Sequence, residues 1–540
     1  MQEIPKVPFP ARHGACSSNW DVDHPWWSIS VVSSASGMKC RRKPRTSGDD
    51  AGVSEELPKE PKTAEHAGLR SLALRSLLLS RFAVVLLQFL TNNIIPDLTT
   101  DAFEFTGVRR EDLGTFDLLV ERISGGLVRW DSVHFLNIAL NGYIFENTLA
   151  FFPVLPIFLK KLSSILLNLI PMHESSAVIL IGVALSNGCF VVTGMVLFAF
   201  VKSIYGSQHR AFWASFLFAW NPAAIFFSSL YTESLYALVT FSGLLVLYGK
   251  GDLFARTLVA VVLFTVSFGI RSNGLLNFGY IGYFVIFNIV FAHLRTQEAP
   301  FLRICFSLML KIILILLVVL LIFATIVTRF WNMVAVDFCD GEKSQSLAAA
   351  AFAEDNNYVL RGQVEELQWC QAENTFGIFP PYYSHIQKKY WDVEFLGYWK
   401  IIKIPCFLLA APAISMFFFL ASRRFLAQQR FNLTSLINIV QAPGGFMPMV
   451  VHNSVLIGLG LTVFNVEILT RMLFSATPFL CVELSGIVAA KMSGQQLRLR
   501  SVLHWSTWKN TGLSATLLYT YFASYFIGGT VLHASGGPFT

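Results

Sequence analysis

Long runs of apolar residues alternate with short polar segments along most of the chain. Eleven of these runs hold about 17–25 residues, and an α-helix of that length crosses the roughly 30 Å hydrocarbon layer of a bilayer. The pattern predicts an all-α polytopic membrane protein, a bundle of about eleven transmembrane helices. The predicted spans lie at about 69–91, 177–201, 211–228, 232–249, 255–270, 275–292, 305–328, 401–421, 446–464, 468–489 and 512–532.

One further apolar stretch, 149–170, differs from these runs. It holds Pro153 and Pro156, and two adjacent lysines, Lys160 and Lys161, lie near its middle. Two central lysines would cost several kcal/mol in a span that faces lipid. We therefore predict that this stretch forms an amphipathic helix parallel to the membrane surface.

The distribution of lysine and arginine sets the predicted orientation. If 149–170 does not span, most basic residues fall at helix ends on the side of the N-terminus, which the positive-inside rule places in the cytosol. The C-terminus then lies in the lumen. The first apolar run carries Arg70, Arg75 and Arg81 at or near its start. The other cytosolic ends carry Lys202, Arg210, Lys250, Arg256, Arg295, Arg303, Arg423, Arg424, Arg430, Lys491, Arg498 and Arg500.

Polar segments complete the predicted organisation. Residues 1–67 are rich in Pro, Ser and Lys and show no apolar period, which predicts a disordered cytosolic tail before a membrane domain at 68–540. Two large loops, about 92–176 and about 329–400, fall on the lumenal side. The second holds Cys339 and Cys370, for which we expect a disulfide in an oxidising compartment, the alternative being two unpaired thiols.

Composition supports the membrane assignment and excludes other classes of protein. Hydrophobic residues make up 54% of the 540 residues and charged residues only 14%, against roughly 25% charged residues in soluble domains. The net charge of +7 would suggest nucleic-acid binding in a soluble chain, but here the basic residues flank apolar runs. We therefore expect no nucleic-acid partner. The cysteines and histidines do not show zinc-site spacing, so we expect no metal.

Ionisable residues near membrane depth are costly and mark function more often than chance. Asp131, in the segment RWDSVHF, lies beside Trp130, where partial desolvation suits a general base. The alternative is a helix N-cap. Arg271 and Arg471 could together clamp a phosphate, or could instead extend to lipid headgroups. Glu233 lies at the same predicted membrane face as Asp131, Arg271 and Arg471.

Asp97, Glu146 and His452 can each be interpreted in two ways. Asp97 follows the first span and Glu146 ends the segment that starts at Asp131. Either could belong to the site or stabilise a neighbouring helix. His452 lies inside a predicted span, where a lone histidine is more often a packing residue than a ligand.

Five motifs in order, and a closing one, resemble the GPI mannosyltransferase 2 (PIG-V) family. The resemblance covers about residue 69 to the C-terminus and leaves the tail unexplained. The motifs are RWDSVHFLNIALNGYIFENTLAFFPVLP, NPAAIFFSSLYTESLYALVTFSG, GIRSNGLLNFGY, YWDVEFLGYW, HNSVLIGLGLTVFNVEILTRMLFSATP and YFASYFIGGTVLH.

The resemblance implies a GT-C-like fold with lumenal membrane-parallel helices, in the endoplasmic reticulum membrane, with its site facing the lumen. It implies transfer of the second, α-1,6-linked mannose from dolichyl-phosphate-mannose to mannosyl-glucosaminyl-phosphatidylinositol by an inverting glycosyltransferase. No cofactor is implied, and a small membrane subunit is a further expected partner. An acid of the first loop would be the catalytic base, either Asp131 or Asp97. The implied substrate-binding residues are Trp130, His134, Glu146, Glu233, Arg271, Asn273, His452, Arg471 and Asp97.

Two other functions fit parts of the pattern. A secondary transporter also has many spans and few charges, but it places those charges near the bilayer midplane rather than at one face. Another GT-C transferase could use the same donor on a protein or N-glycan acceptor. The order of the motifs favours the GPI enzyme.

Overall fold

The computed structural model describes residues 64–98, 102–284, 301–334, 338–339, 347–363, 367–370, 381–426, 445–493 and 497–539. The predicted tail at 1–67 therefore lies almost wholly outside the described residues. The regular elements in the described part are α- and 3₁₀-helices, and an isolated bridge pairs Phe145 with Leu360. The prediction of an all-α membrane protein is confirmed.

Six described helices are long and apolar enough to cross a membrane. A seventh candidate is a pair of helices, Val466–Ser475 and Phe479–Lys491, bent by 66° at a short break. The six helices are Ala64–Ile94, Glu174–Tyr205, Leu253–Ile270, Phe301–Val334, Ile404–Leu426 and Leu513–Ala534.

The predicted count of eleven spans is not confirmed. Three of the predicted spans are shorter helices, Gln208–Ala219, Glu233–Leu247 and Met447–Thr462. The first of these ends just before Asn221 and Pro222, because proline cannot continue the helix. The predicted span at 275–292 holds the end of the 3₁₀-helix Ser272–Asn277 and the helix Phe278–Tyr283, and residues 285–292 lie outside the described residues.

The stretch 149–170 forms the helix Val154–Leu167. Its 14 residues extend about 21 Å, too short for the hydrocarbon layer. Leu155 and Leu159 are buried on one face, and both Lys160 and Lys161 are exposed on another. The helix packs on Asp131–Asn141 and Glu174–Tyr205. Its length and two-faced character agree with a helix that does not span.

The remaining helices of the described residues are short and connect or flank the long ones. The bounds of the α-helices among them are Thr115–Ser124, Asp131–Asn141, Leu347–Asn356, Pro381–Trp391, Leu469–Ser475, Leu499–Leu503 and Trp505–Asn510. The 3₁₀-helices include Glu146–Ala150, Ala224–Phe227, Ser272–Asn277, Gln368–Cys370, Ile401–Lys403 and Val466–Ile468.

Close approach of helices builds the core that carries the site. Glu174–Tyr205, Glu233–Leu247 and Leu253–Ile270 pack side by side. A Cβ atom on Gly243 would overlap the ring of Phe264 in the neighbouring helix. Glycine is therefore needed at this position for the two helices to approach.

Arg81 has a different role from the cytosolic charge that its position near the first apolar run suggests. It is buried, and Nη1 donates to the carbonyl of Ala224 and to Oγ of Ser228, both at 2.9 Å. Its guanidinium also lies 3.7 Å from the centre of the Phe190 ring. Nη2 also donates, at 3.4 Å, to the carbonyl of Ala219, the last residue of the helix Gln208–Ala219, where helix carbonyls have no intrahelical partner.

The predicted pair Cys339 and Cys370 is joined in a disulfide, with Cα atoms 5.8 Å apart. Beside it, Phe338, Trp369 and Tyr382 belong to a small aromatic core that includes Leu149 of the first loop. The second long loop is therefore packed against the first.

Candidate active site

Asp131 is the first residue of the helix Asp131–Asn141, and Trp130 precedes it as the N-cap. Trp130 has a φ of 56°, a left-handed conformation that is costly for a bulky residue. The Asp131 carboxylate does not cap its own helix, because it forms an ion pair with Arg471 instead, at 2.8 Å between Oδ2 and Nη1. The side chain of Asp131 remains 31% exposed.

Four charged side chains form one network, which we call the charge network: Asp131, Glu233, Arg271 and Arg471. Arg471 Nε lies 3.6 Å from Oε1 of Glu233, in addition to the pair with Asp131. Arg271 Nη1 donates to the same Oε1 and, at 3.1 Å, to the Oγ1 of Thr232. Glu233 is completely buried, so its charge is balanced entirely by the two guanidiniums. With all four groups ionised, the network has no net charge.

Helix ends bring this network together. Asp131 and Glu233 each begin a helix, and Arg271 directly follows Leu253–Ile270. Arg471 lies in the short helix Leu469–Ser475, just before the 66° bend. The two acids lie in the first turn of their helices, where the helix dipole favours negative charge. The ends of separate helices therefore supply three of the charges, and a short helix beside a bend supplies the fourth.

Opposing effects act on the carboxyl of Asp131. Burial raises its pKa, while the guanidinium of Arg471, followed by His134 and Arg271, lowers it by more. The net result is a pKa below the usual aspartate range, so the group is ionised at neutral pH. Asp131 can therefore accept a proton, and Arg471 reduces its basicity.

His134 lies one turn after Asp131, with its ring between two phenylalanine rings. The ring centres are 4.6 Å from Phe103 and 4.3 Å from Phe151, and both pairs are stacked. Burial lowers the pKa of His134 to about 4, although the nearby Asp131 acts in the opposite direction. His134 is therefore neutral at physiological pH.

A cavity of about 820 Å³ opens beside the charge network. Six of the predicted residues line it: Trp130, Asp131, His134, Arg271, Asn273 and Arg471. Within the described residues, the buried amide of Asn273 has no hydrogen-bond partner at either atom, and Oδ1 of Asn147, which also lines the cavity, has none either. Such groups are satisfied by a polar ligand or by water. The cavity suits a ligand rich in hydroxyl groups.

A second part of the cavity wall comes from the second long loop. The helix Pro381–Trp391 contributes Gln387, Tyr390 and Trp391, and the segment after it contributes Val393. Tyr390 and Trp391 begin the motif YWDVEFLGYW, which carries the family resemblance but from which no individual site residue was predicted. Its aromatic density within a polar loop is the signal that could have identified this wall.

Four predicted substrate-binding residues do not line the cavity. Glu233 is completely buried and pairs with Arg271 and Arg471, as described above. Asp97 pairs with Arg129 at 2.7 Å and is more than half exposed. His452 stacks on Tyr280, with ring centres 5.0 Å apart, inside the helix Met447–Thr462. The geometry therefore favours a packing role for His452 over a ligand role.

Glu146 is the fourth, and the protein itself occupies both of its carboxylate oxygens. Trp369 Nε1 donates to Oε1 at 2.9 Å. Lys389 Nζ and the Tyr390 hydroxyl donate to Oε2 at 2.6 and 2.8 Å. Glu146 is only 1% exposed. Its position therefore fits a link between the two long loops better than contact with a substrate.

Within the described residues, no group of three His, Cys, Asp or Glu side chains has the arrangement of a metal site.

Comparison with known proteins supplies the family. A family model described as mannosyltransferase (PIG-V) matches residues 71–540. The human protein named GPI alpha-1,6-mannosyltransferase 2 is 30% identical over 515 residues, covering 87% of this chain and 99% of the relative. GPI mannosyltransferase 2 of Drosophila pseudoobscura pseudoobscura is 29% identical, with coverage of 86% and 98%. GPI mannosyltransferase pigv-1 of Caenorhabditis elegans is 28% identical, with coverage of 86% and 80%.

The match covers 80–99% of the length of these relatives, and the family model includes every residue of the charge network. On that match, the chain belongs to the PIG-V mannosyltransferase family.

Proposed function

We propose that the chain is a GPI mannosyltransferase that adds the second, α-1,6-linked mannose in GPI-anchor assembly. The donor is dolichyl-phosphate-mannose and the acceptor is mannosyl-glucosaminyl-phosphatidylinositol. The names of the human and fly relatives support this reaction. The enzyme acts in the endoplasmic reticulum membrane with its cavity facing the lumen, an orientation that the distribution of basic helix ends supports.

The observation that carries the proposal is the partly exposed Asp131 on the wall of a cavity large enough for sugars. In the proposed step, Asp131 takes the proton of the 6-hydroxyl of the acceptor mannose. The hydroxyl oxygen attacks C1 of the donor mannose from the face opposite the phosphate. The C1–O bond to phosphate breaks, and its electron pair leaves with the phosphate oxygen. One inversion converts the β-linked donor into an α-linked product.

The charge network supports this step electrostatically. Before transfer the four groups sum to zero, and protonation of Asp131 gives the network a net charge of +1. Over the same step the phosphate changes from a diester to a monoester and gains negative charge. Asp131 therefore neutralises less of the positive charge on Arg271 and Arg471 at the stage when negative charge develops on the leaving phosphate. The attraction between these arginines and the phosphate is thus stronger in the transition state than in the ground state, and such a difference accelerates a reaction.

The test is a profile of GPI intermediates in cells that lack the chain. We expect the one-mannose intermediate to accumulate and the wild-type chain, but not Asp131→Asn, to remove it. A normal GPI profile with defective N-glycans would overturn the proposal and favour a transferase with another acceptor.

A further inference from the structure

Two charged side chains on the cavity wall stand outside the charge network: Lys403 and Glu467. Lys403 ends the 3₁₀-helix Ile401–Lys403, immediately before the helix Ile404–Leu426, and Glu467 lies in Val466–Ile468. The two segments are neighbours because Val466–Ile468 packs against Ile404–Leu426. Nothing in the transfer step described above uses either residue.

Glu467 is held by neutral donors. The hydroxyl of Tyr398 donates to Oε2, and the thiol of Cys406 lies 3.5 Å from the same oxygen. No lysine or arginine among the described residues forms an ion pair with Glu467. The side chain is half-buried. A carboxylate in this setting is oriented by its donors and still lacks a balancing cation.

Lys403, by contrast, is a cation without an ion-pair partner among the described residues. Its Nζ lies 4.9 Å from the centre of the Tyr398 ring, and none of the acids in the described residues pairs with it. The residues next to it are apolar and open: Ile401 is 87% exposed and Ile402 is 80% exposed. Exposed isoleucines at the start of a spanning helix indicate contact with lipid. Lys403 therefore lies where the cavity meets the membrane boundary.

Tyr398 lies between Glu467 and Lys403 and contacts both side chains. Its side chain is buried, its hydroxyl binds Glu467, and its ring face lies below Lys403. One wall of the cavity thus presents a carboxylate and an ammonium group one tyrosine side chain apart. Their failure to pair with each other leaves both available to a ligand that carries both charges.

The proposed acceptor is such a ligand. Its glucosamine has a free amine, which is protonated at neutral pH, and its inositol carries the phosphodiester of the lipid. These groups are neighbours along the head group, since glucosamine is joined directly to inositol. We propose that Glu467 binds the glucosamine ammonium group and that Lys403 binds the phosphodiester of the acceptor. This inference rests on the proposed function and assigns the acceptor subsite within it.

The subsite gives the acceptor a direction. The phosphodiester lies at the membrane boundary, so the acyl chains remain in lipid beside the exposed isoleucines. The glycan extends from there into the cavity, and its terminal mannose reaches toward Asp131. Charge recognition by Glu467 and Lys403 therefore orients the acceptor and leaves the reaction at C1 of the donor unchanged.

The test uses the full-length protein in detergent with two synthetic acceptors, mannosyl-glucosaminyl-phosphatidylinositol and its N-acetylated form. Acetylation removes the positive charge and keeps the glycan. We expect wild type to show a KM for the acetylated acceptor about tenfold higher, and Glu467→Gln to show no such difference. Lys403→Met should raise the KM for either acceptor and leave the KM for dolichyl-phosphate-mannose unchanged.

Matched control residues are available in the second long loop. Glu394 pairs with Lys388 and Lys400 pairs with Asp392, and all four are exposed. Glu394→Gln and Lys400→Met should leave both acceptor KM values at the wild-type level. If Glu467→Gln does not fold, the wild-type comparison of the two acceptors still decides the role of the amine.

Equal use of the two acceptors by wild type, or an equal acetylation effect in wild type and Glu467→Gln, would overturn the subsite. A rise in the donor KM for Lys403→Met would assign Lys403 to the donor phosphate and also overturn it. Failure of wild type to transfer mannose to either acceptor, with the donor present, would instead contradict the proposed function. Direct binding of both acceptors to the protein, measured without donor, separates these two failures.

Discussion

Asp131 and Glu146 are acids of the same long loop, separated by fifteen positions, and both are predicted candidates for the site. Asp131 is 31% exposed on the cavity wall and pairs with Arg471 through one oxygen. Glu146 is 1% exposed, and three donors from the second long loop occupy both of its oxygens. Similar sequence contexts therefore produce one accessible acid and one enclosed acid.

The difference separates chemistry from positioning. A general base needs an oxygen within reach of the proton that it accepts, which Asp131 offers and Glu146 does not. Glu146 instead fastens Lys389 and Tyr390 to the first loop, and Tyr390 is part of the cavity wall. Its neighbour Asn147 also lines the cavity. We infer that Glu146 is a positioning residue that holds the two walls in register.

Asp131→Asn should have the largest effect on mannose transfer. The amide keeps the size of the carboxylate but cannot accept the proton, and general-base catalysis typically contributes about 10²–10⁴-fold. We expect mannose transfer in microsomes to fall by about that factor, with a protein level near that of wild type. Asp97→Asn should leave transfer close to normal, because Asp97 lies off the cavity wall. The reverse pattern in these two variants would make Asp97 the base.

Arg471→Met tests the network behind Asp131. It leaves the buried carboxylate of Glu233 with one guanidinium instead of two, and breaking a buried ion pair typically costs about 3–5 kcal/mol. We expect a marked fall in the midpoint of thermal unfolding in detergent. Adding Glu233→Gln should recover part of that loss without restoring transfer. If the double variant is no more stable than Arg471→Met, the two residues are not coupled in the way the geometry indicates.

Glu146→Gln should have a smaller effect on the reaction than either change. One oxygen still accepts hydrogen bonds, but Lys389 loses its ionic partner and the wall formed by Pro381–Trp391 loosens. A charged hydrogen bond contributes about 1.5–3 kcal/mol, and only part of that loss reaches the acceptor because Glu146 acts through the wall that it holds, so we expect KM for the acceptor to rise several-fold, with kcat reduced less. Lys389→Met should add little to Glu146→Gln, because both remove the same contact.

A kinetic split distinguishes the two acids. If Glu146→Gln reduces kcat as severely as Asp131→Asn while KM is unchanged, Glu146 belongs to the chemistry and not to the positioning of a wall. Glu146→Asp, which keeps the charge, should recover part of the acceptor affinity.

The sequence allows the gathering of Asp131, Glu233, Arg271 and Arg471 to be predicted, because each lies at a predicted helix end on the same membrane face. The enclosure of Glu146 could not be predicted, since its partners lie 223 to 244 residues away in sequence. Within the described residues, six or seven helices qualify as spans against the eleven predicted, because hydropathy does not detect helices that break or bend. Arg81 appears in the sequence as a topology signal, although it is buried and donates to the Ala224 carbonyl and to the Ser228 hydroxyl.

The smallest expected effect concerns His134, the neighbour of Asp131. Burial lowers the pKa of His134 to about 4, so between pH 6.5 and 4 the unfolded chain binds a proton there that the folded chain does not. Its contribution to stability is therefore complete above pH 6.5 and is lost as the pH falls toward 4, by at most about 1.4 kcal/mol per pH unit. Asp131, with its lowered pKa, loses its contribution only at lower pH.

His134→Phe isolates this effect, because phenylalanine keeps the stack between Phe103 and Phe151 and removes the titrating group. We expect the midpoint of thermal unfolding in detergent to fall less between pH 7 and pH 5 for the variant than for wild type. An equal fall in both proteins would mean that His134 is already protonated in the folded state at pH 5. The site next to Asp131 would then be wetter than its burial indicates, and Asp131 would act with a nearby imidazolium charge rather than beside a neutral ring.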